Sequence, residues 1–335
     1  MRILLGCPVP VDTVAGPATV AREFIASFRG KGDNVRVATF TSFERTLPLP
    51  LRHVVFFVRI FPEVIKSDAV LMLDPASTGP ALSLAARITR TRSVLRIGGD
   101  FLWESYVERT GEPILLSQFN QTTHPLSLKE RFIRSATAMT LKLSTTVIFT
   151  TEWQRHLWQG HYGFDMDAAE VIPPVLPSRE PSPATGKVFL SGHRSMRIKN
   201  GAVLRAVWKE VEATHPEAVL DIGERSPAEF AAALKDCYAV IVPSISEVSP
   251  NVVFEAIRYG KPFIAPRDTG IFDELSSLGK FVDTRNPQEI AQAVIELLNP
   301  SEYKAYVERI RDFETSRSWE EVAFAYRRAL RPSGI

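Results

Sequence analysis

The chain has 335 residues, 45% hydrophobic and 23% charged, with a formal net charge of +2. That length exceeds what one core usually supports, so two domains of roughly 150 residues are expected. The near-neutral balance gives no reason to expect nucleic acid and names no other charged partner. Two cysteines, Cys7 and Cys237, one in each half, exclude a disulfide framework and a cysteine metal site, and suit a reducing compartment. Residues 1–7 read directly into a buried strand rather than a signal peptide. The most apolar stretch, 47–65, is interrupted by Pro48, Pro50, Arg52, Arg59 and Pro62, short of the ~20 apolar residues of a membrane span. A cytoplasmic location is expected.

Short β-rich runs alternate with amphipathic stretches from the start. Strands are expected at 2–6, 34–39, 69–73, 93–97 and 145–150, with helices such as 18–29 and 128–143 between them. This is the pattern of a parallel α/β sheet. Residues 172–186 hold five prolines and no periodicity, and read as an interdomain linker. The alternation then restarts: strand 187–191, helix 203–214, strand 219–222, helix 228–234, strand 239–242, helix 252–259, strand 263–265 and helix 290–298. The expected organisation is a first domain over 1–173, a linker over 174–186, a second domain over 187–317, and a terminal helix within 318–335. Packing of that helix back on the first domain is one reading; periodicity does not fix its destination. In open parallel sheets ligands lie beyond the carboxyl ends of the strands, so site residues belong on strand-to-helix loops.

The second half carries the most pointed constellation. After the strand at 239–242, Ser249 reads as a helix N-cap and Pro250 as the first helical residue, leaving free N–H groups suited to a diphosphate. Glu247 and Glu255 flank that point. Carboxylates repel a diphosphate, so their task is to accept hydrogen bonds from ribose and donor-sugar hydroxyls. The alternative reading pairs Glu255 with Arg258 on the surface and leaves Glu247 solvated.

The run Pro243-Ser-Ile-Ser-Glu-Val-Ser-Pro-Asn-Val-Val-Phe-Glu-Ala-Ile-Arg-Tyr-Gly-Lys-Pro resembles the donor-site motif of family 4 retaining glycosyltransferases. Leu220-Asp-Ile-Gly-Glu, Thr269-Gly-Ile-Phe-Asp-Glu-Leu, Gly279-Lys-Phe-Val-Asp and Asn286-Pro-Gln-Glu-Ile-Ala follow that family's order around it. The resemblance implies the GT-B fold: α/β, two Rossmann-like doubly wound domains facing across a cleft. It also implies a donor site that includes Glu247, Ser249, Pro250, Asn251, Val252 and Glu255.

Phe189-Leu-Ser-Gly-His-Arg-Ser-Met-Arg-Ile-Lys-Asn-Gly is similar to the family's segment whose two cations hold the diphosphate. This assigns Arg194 and Lys199, with Arg197 competing for the first role because His193 is inserted and Asn200 stands where glycine is usual. In the first half, Gly16 follows Ala15 where the family has paired glycines, and maps to its phosphate loop. Asp100 follows Gly98-Gly99, where the family often has His-Asp; it serves a sugar hydroxyl or the acceptor, or else caps the next helical turn. Glu152 lies in a segment similar to one lining the family's cleft. The implied catalytic group is Glu247, Asp100, Arg194 and Lys199.

No metal and no cofactor are expected; a nucleoside-diphosphate sugar is the co-substrate. Asp165-Met-Asp167 matches a metal motif of a different glycosyltransferase fold only superficially. The acceptor implied is a glycan or a lipid-linked sugar, used in polysaccharide or glycolipid synthesis. Residues 47–61 and the basic set Arg87, Arg90, Arg92 and Arg96 suit weak peripheral association with the inner face of a membrane, and suit a core helix with solvated charges equally. Two rival readings remain: a nucleotide-sugar epimerase of the same fold, and a non-catalytic nucleotide-sugar-binding protein. A dinucleotide dehydrogenase is disfavoured because no Gly-x-Gly-x-x-Gly follows either first strand.

Overall fold

The computed structural model describes residues 1–13, 15–164, 168–192 and 195–331. Arg194 and the Asp165-Met-Asp167 motif lie outside them. Contacts group the chain into two units. Met1–Leu102, Thr123–Pro174 and the segment from Trp319 onward form one; Trp103–Thr122 and Val175–Ser318 form the other.

The first unit contains a six-stranded sheet: β1 (Arg2–Gly6), β2 (Asn34–Ala38), β3 (Ala69–Met72), β4 (Arg92–Ile97), β5 (Thr146–Phe149) and β6 (Ala169–Val171). Its order is β2-β1-β3-β4-β5-β6, and every pairing is parallel. β3 and β5 are buried at every position, as a parallel sheet covered on both faces requires. The sequence pattern misses β6 and, in the second unit, the strand at Lys280–Val282.

The second unit repeats the topology with β7 (Val188–Leu190), β8 (Val219–Asp221), β9 (Ala239–Ile241), β10 (Phe263–Pro266) and β11 (Lys280–Val282), in the order β11-β10-β9-β7-β8 and all parallel. In each sheet the first strand has the second on one side and the third on the other. The order therefore reverses between β1 and β3, and again between β7 and β9.

Three features depart from the sequence boundaries. Trp103–Thr122 groups with the second unit: Tyr106 packs on Phe119 with ring centroids 5.3 Å apart, and the Glu108 carboxylate accepts from the Ile198 amide at 3.2 Å. The proline-rich stretch is extended but docked. Its prolines donate nothing, yet the amides between them pair with the second unit: Leu176 with Arg317 O at 3.0 Å, Glu180 with Arg258 O at 2.7 Å and Thr185 with Asp236 O at 3.1 Å. Third, residues 49–65 form one helix, Leu49–Ile65, despite their prolines; Pro50 occupies the first turn, where a missing N–H costs nothing. No helix among the described residues is long and apolar enough to cross a membrane.

The terminal helix, Trp319–Ala329, packs on helix Gly16–Gly30 in the first unit. Tyr326 lies against Phe24 with ring centroids 4.7 Å apart. The Arg327 guanidinium donates to both oxygens of Asp33, at 2.6 and 3.0 Å, and the Met1 ammonium donates to the same carboxylate at 2.7 Å. Arg92 donates to Ala329 O at 2.7 Å, and Arg96 lies beside the buried ring of Tyr326. Half of the expected basic cluster therefore anchors this helix rather than forming an exposed patch.

The Asp33 side chain is 1% exposed. Burial alone would raise its pKa, but hydrogen bonds from Arg327 and the N-terminal ammonium outweigh burial and hold it below the usual aspartate range. A depressed folded pKa contributes stability that is complete above the unfolded value, roughly pH 4, and is lost as the pH falls through the folded value. Arg327→Ala should lower the unfolding free energy at pH 7 by about 2–3 kcal/mol, measured by urea titration, and should flatten the acid dependence below roughly pH 4.

Candidate functional site

In the second unit the strand order reverses where β7 and β9 end, and the loops beyond them diverge there. After β7 a 3-10 turn, Arg197–Lys199, ends at Asn200 in the left-handed region, φ 51°, before helix Gly201–Thr214 begins. Asparagine tolerates that conformation better than most side-chain-bearing residues. Asn200 Nδ2 donates to Thr284 O at 2.7 Å, Thr284 Oγ1 donates to Ser244 O at 2.7 Å, and the Ile245 amide donates to Ile198 O at 2.9 Å. The loops after β7, β9 and β11 are thus tied to one another by bonds to backbone carbonyls.

This framework brings Lys199 and Glu247 together. Lys199 Nζ donates to Glu247 Oε1 at 2.5 Å, and Ser244 Oγ donates to the same oxygen at 2.7 Å. The side chains are 26% and 17% exposed, so the pair is neither solvated nor sealed. The backbone of Glu247 is held as well: its amide donates to Asp268 O at 3.2 Å, and its carbonyl accepts from the Gly270 amide at 3.2 Å. Asp268 Oδ2 then accepts from Ser246 Oγ at 2.5 Å and from the Ser117 amide at 3.3 Å, while the Leu116 amide donates to Ser246 Oγ at 3.0 Å. A cavity of about 160 Å³ opens beside Asp268 and Thr284.

The remaining expected residues are placed as follows. The helix after β9 is Asn251–Arg258. Ser249 is not its cap: Pro250 holds the cap position in an extended conformation, and no side chain caps the helix. Pro250 has φ −72° and ψ 110°, outside helical geometry, so the helix starts at Asn251, one residue later than expected. Val252 packs partly buried against the unit's core.

Glu255 lies 3.7 Å from Arg258, the ion pair its spacing allows, and Arg258 also donates to Glu180 at 2.9 Å. Burial pushes the Glu255 carboxyl pKa up; Arg258 opposes this and Glu180 adds to it. Arg197 stands over Gly111, whose φ of 73° and lack of a side chain admit the guanidinium.

Three expected residues lie in the first unit. Gly16 begins helix Gly16–Gly30; a Cβ there would meet no atom within 4 Å, and its backbone is not left-handed. Neither packing nor conformation demands glycine at that position. Asp100, at the end of β4, is 2% exposed and accepts from Trp158 Nε1 at 3.0 Å. Glu152 pairs with Arg155 at 2.7 Å on an exposed helix face. Among the described residues no group of three or more His, Cys, Asp or Glu is placed to hold a metal ion.

Sequence reasoning missed Ser191, Ser244, Thr284 and Asp268. Ser191, at the end of β7, is fully buried, and its hydroxyl has no partner among the described residues. Only its place directly after a strand could have signalled it.

The family model described as Glycosyl transferases group 1 matches residues 187–313. A curated protein of Methanocaldococcus jannaschii, named an uncharacterized glycosyltransferase, is 29% identical over 110 residues, 32% of this chain and 31% of that protein's length. Among solved structures, sucrose-phosphate synthase from Thermosynechococcus elongatus superposes with a TM-score of 0.71 at 14% identity over 98% of both chains. Anabaena HepE, in complex with UDP and glucose, gives a TM-score of 0.66 at 13% identity over 98% of this chain and 99% of that one; the same protein is also known with UDP-glucose. At such identities these likenesses establish the fold, two Rossmann-like α/β units of the GT-B class.

Asp268 carries the loop that holds Glu247, so Asp268→Ala should free Ser246 Oγ and the Ser117 amide together. The expected loss is about 2–3 kcal/mol of unfolding free energy, read from urea titration at pH 7.

Proposed function

We propose that the protein, whose residues 187–313 match the family model described as Glycosyl transferases group 1, is a retaining glycosyltransferase that moves a sugar from a nucleoside-diphosphate sugar to a glycan or lipid-linked acceptor. The observation that carries this reading is the Lys199–Glu247–Ser244 cluster at the strand-order reversal, where a parallel sheet receives its ligand.

In this reading Lys199, with Arg194, neutralises the diphosphate. The first amides of helix Asn251–Arg258, following Ser249 and Pro250, meet phosphate oxygens. Glu247 and Glu255 accept hydrogen bonds from donor-sugar and ribose hydroxyls. Gly16 leaves room for the phosphate, and Asp100 serves the acceptor side. The acceptor oxygen bonds to the anomeric carbon on the face from which the diphosphate departs. The bond from that carbon to the diphosphate oxygen breaks with its electron pair, and the acceptor proton passes to a departing phosphate oxygen. Negative charge grows on the diphosphate as the bond breaks, which is where a fixed cation lowers the barrier. Lys199 and Arg194 supply that charge without a metal, so EDTA should leave turnover unchanged. A longer glycan or glycolipid as product places the reaction in polysaccharide or glycolipid synthesis.

Incubation with UDP-, GDP- and ADP-sugars tests the reading, and the ligands of Anabaena HepE make UDP-sugars the first to try. Release of nucleoside diphosphate is expected; an altered sugar without release would favour an epimerase, and binding alone a non-catalytic protein. Lys199→Ala should lower kcat/KM about 10²–10³-fold. Gly16→Ala should leave the melting temperature unchanged, because the new methyl meets nothing, yet weaken donor binding.

Weak association with the inner face of a membrane belongs to the same reading. Helix Leu49–Ile65 leaves Leu51, Val54, Val58 and Ile65 exposed at helical spacing, and Phe43 is exposed just before it. Sedimentation with anionic vesicles at low salt should retain the protein, and Val54→Glu/Val58→Glu should release it; no retention of the wild type would dismiss the association.

A further inference from the structure

A second cavity, of about 740 Å³, lies in the same unit but at the opposite edge of its sheet. Lys187 precedes β7 and Tyr238 precedes β9, so the cavity sits at the amino ends of the strands, away from the carboxyl ends that carry Ser244 and Glu247. Its size falls within the range of small-molecule sites, roughly 300–1,000 Å³.

The lining has a definite chemistry. Three tyrosines contribute: Tyr238, Tyr259 and Tyr303. Tyr238 and Tyr303 stack at 3.9 Å with an interplanar angle of 13°, and each is fixed by its hydroxyl, Tyr238 donating to Leu297 O at 2.9 Å and Tyr303 to Tyr238 O at 3.2 Å. Three cations line the cavity, Arg179, Lys187 and Arg311, and no aspartate or glutamate does. Lys187 and Arg311 meet Glu217 and Asp312 outside it, in exposed pairs that separate at little cost.

A fourth cation adjoins the lining in sequence. Lys261 follows the lining residue Gly260 and is fully buried, and its ammonium has no hydrogen-bond partner among the described residues. Burial lowers its pKa, consistent with an uncompensated site. One wall is held in place by backbone bonds: Pro181 and Pro183 alternate with amides of Glu180, Ser182 and Thr185 bonded to the backbone of Arg258, Tyr259 and Asp236.

We propose that this cavity is a second ligand site, separate from the one at Lys199 and Glu247, for a small phosphate or carboxylate borne on a flat ring. Tyr303, the partly exposed member of the stack, offers flat apolar surface to the ring, and the cations favour the anion.

Calorimetric titration of the full chain with phenyl phosphate tests the proposal, repeated with saturating UDP and with inorganic phosphate. Saturable binding is expected, unaffected by UDP, and at least about tenfold tighter than that of inorganic phosphate. Lys187→Glu/Arg311→Glu reverses two exposed charges without touching the core, and should weaken phenyl phosphate by at least about tenfold while circular dichroism stays unchanged. The proposal is overturned if phenyl phosphate shows no saturable binding up to about 10 mM, if UDP displaces it, if inorganic phosphate binds as well, or if the charge-reversed variant binds it like the wild type.

Discussion

A parallel sheet that grows outward in both directions from its first strand has one place where neighbouring loops part, and both units are built around that constraint. In the second unit the parting falls between β7 and β9. Lys199 descends from one strand and Glu247 from the other, so residues far apart in sequence meet because of strand order. The rest of the site secures that meeting. Asn200, Ser244, Thr284 and Asp268 bond to backbone or to loop side chains and fix where the loops can go.

The charges in this arrangement are kept at an intermediate burial. A fully buried Lys199–Glu247 pair would lose more in desolvation than the attraction returns, and a fully exposed one would be screened and mobile. At 26% and 17% exposure both groups keep contact with water while Ser244 and the backbone bonds of Glu247 restrict their motion. Asp33 shows the other limit, an almost sealed carboxylate that stays ionised only because Arg327 and the Met1 ammonium surround it.

What the sequence could express was local. β1 is found at Arg2–Gly6 as expected, and β10 extends the expected strand by one residue, because apolar β-branched runs between helical periods mark such strands directly. The fold class was legible from alternation, and the assignment of Lys199 and Glu247 to one donor site only through resemblance; their direct pairing was not legible, since no period links a turn after β7 to a loop after β9. Contacts made at long range left no trace. Nothing in Trp103–Thr122 signals that its amides reach Ser246 and Asp268, and nothing in the proline-rich stretch signals that its amides are occupied. The cap was expected one residue early because the sequence does not show that the Pro250 backbone is itself extended.

The first unit is discontinuous: its sheet lies early in the chain, but helix Trp319–Ala329 reaches it only after the whole second unit. During synthesis on a ribosome the ring of Phe24 and the carboxylate of Asp33 therefore wait, uncovered, until Tyr326 and Arg327 emerge. The second unit also waits, with Trp103–Thr122 made before its partners at Ser246 and Asp268, but all of it is made before Trp319. Nascent-chain folding should accordingly finish out of sequence order, with the first-made sheet the last to be closed.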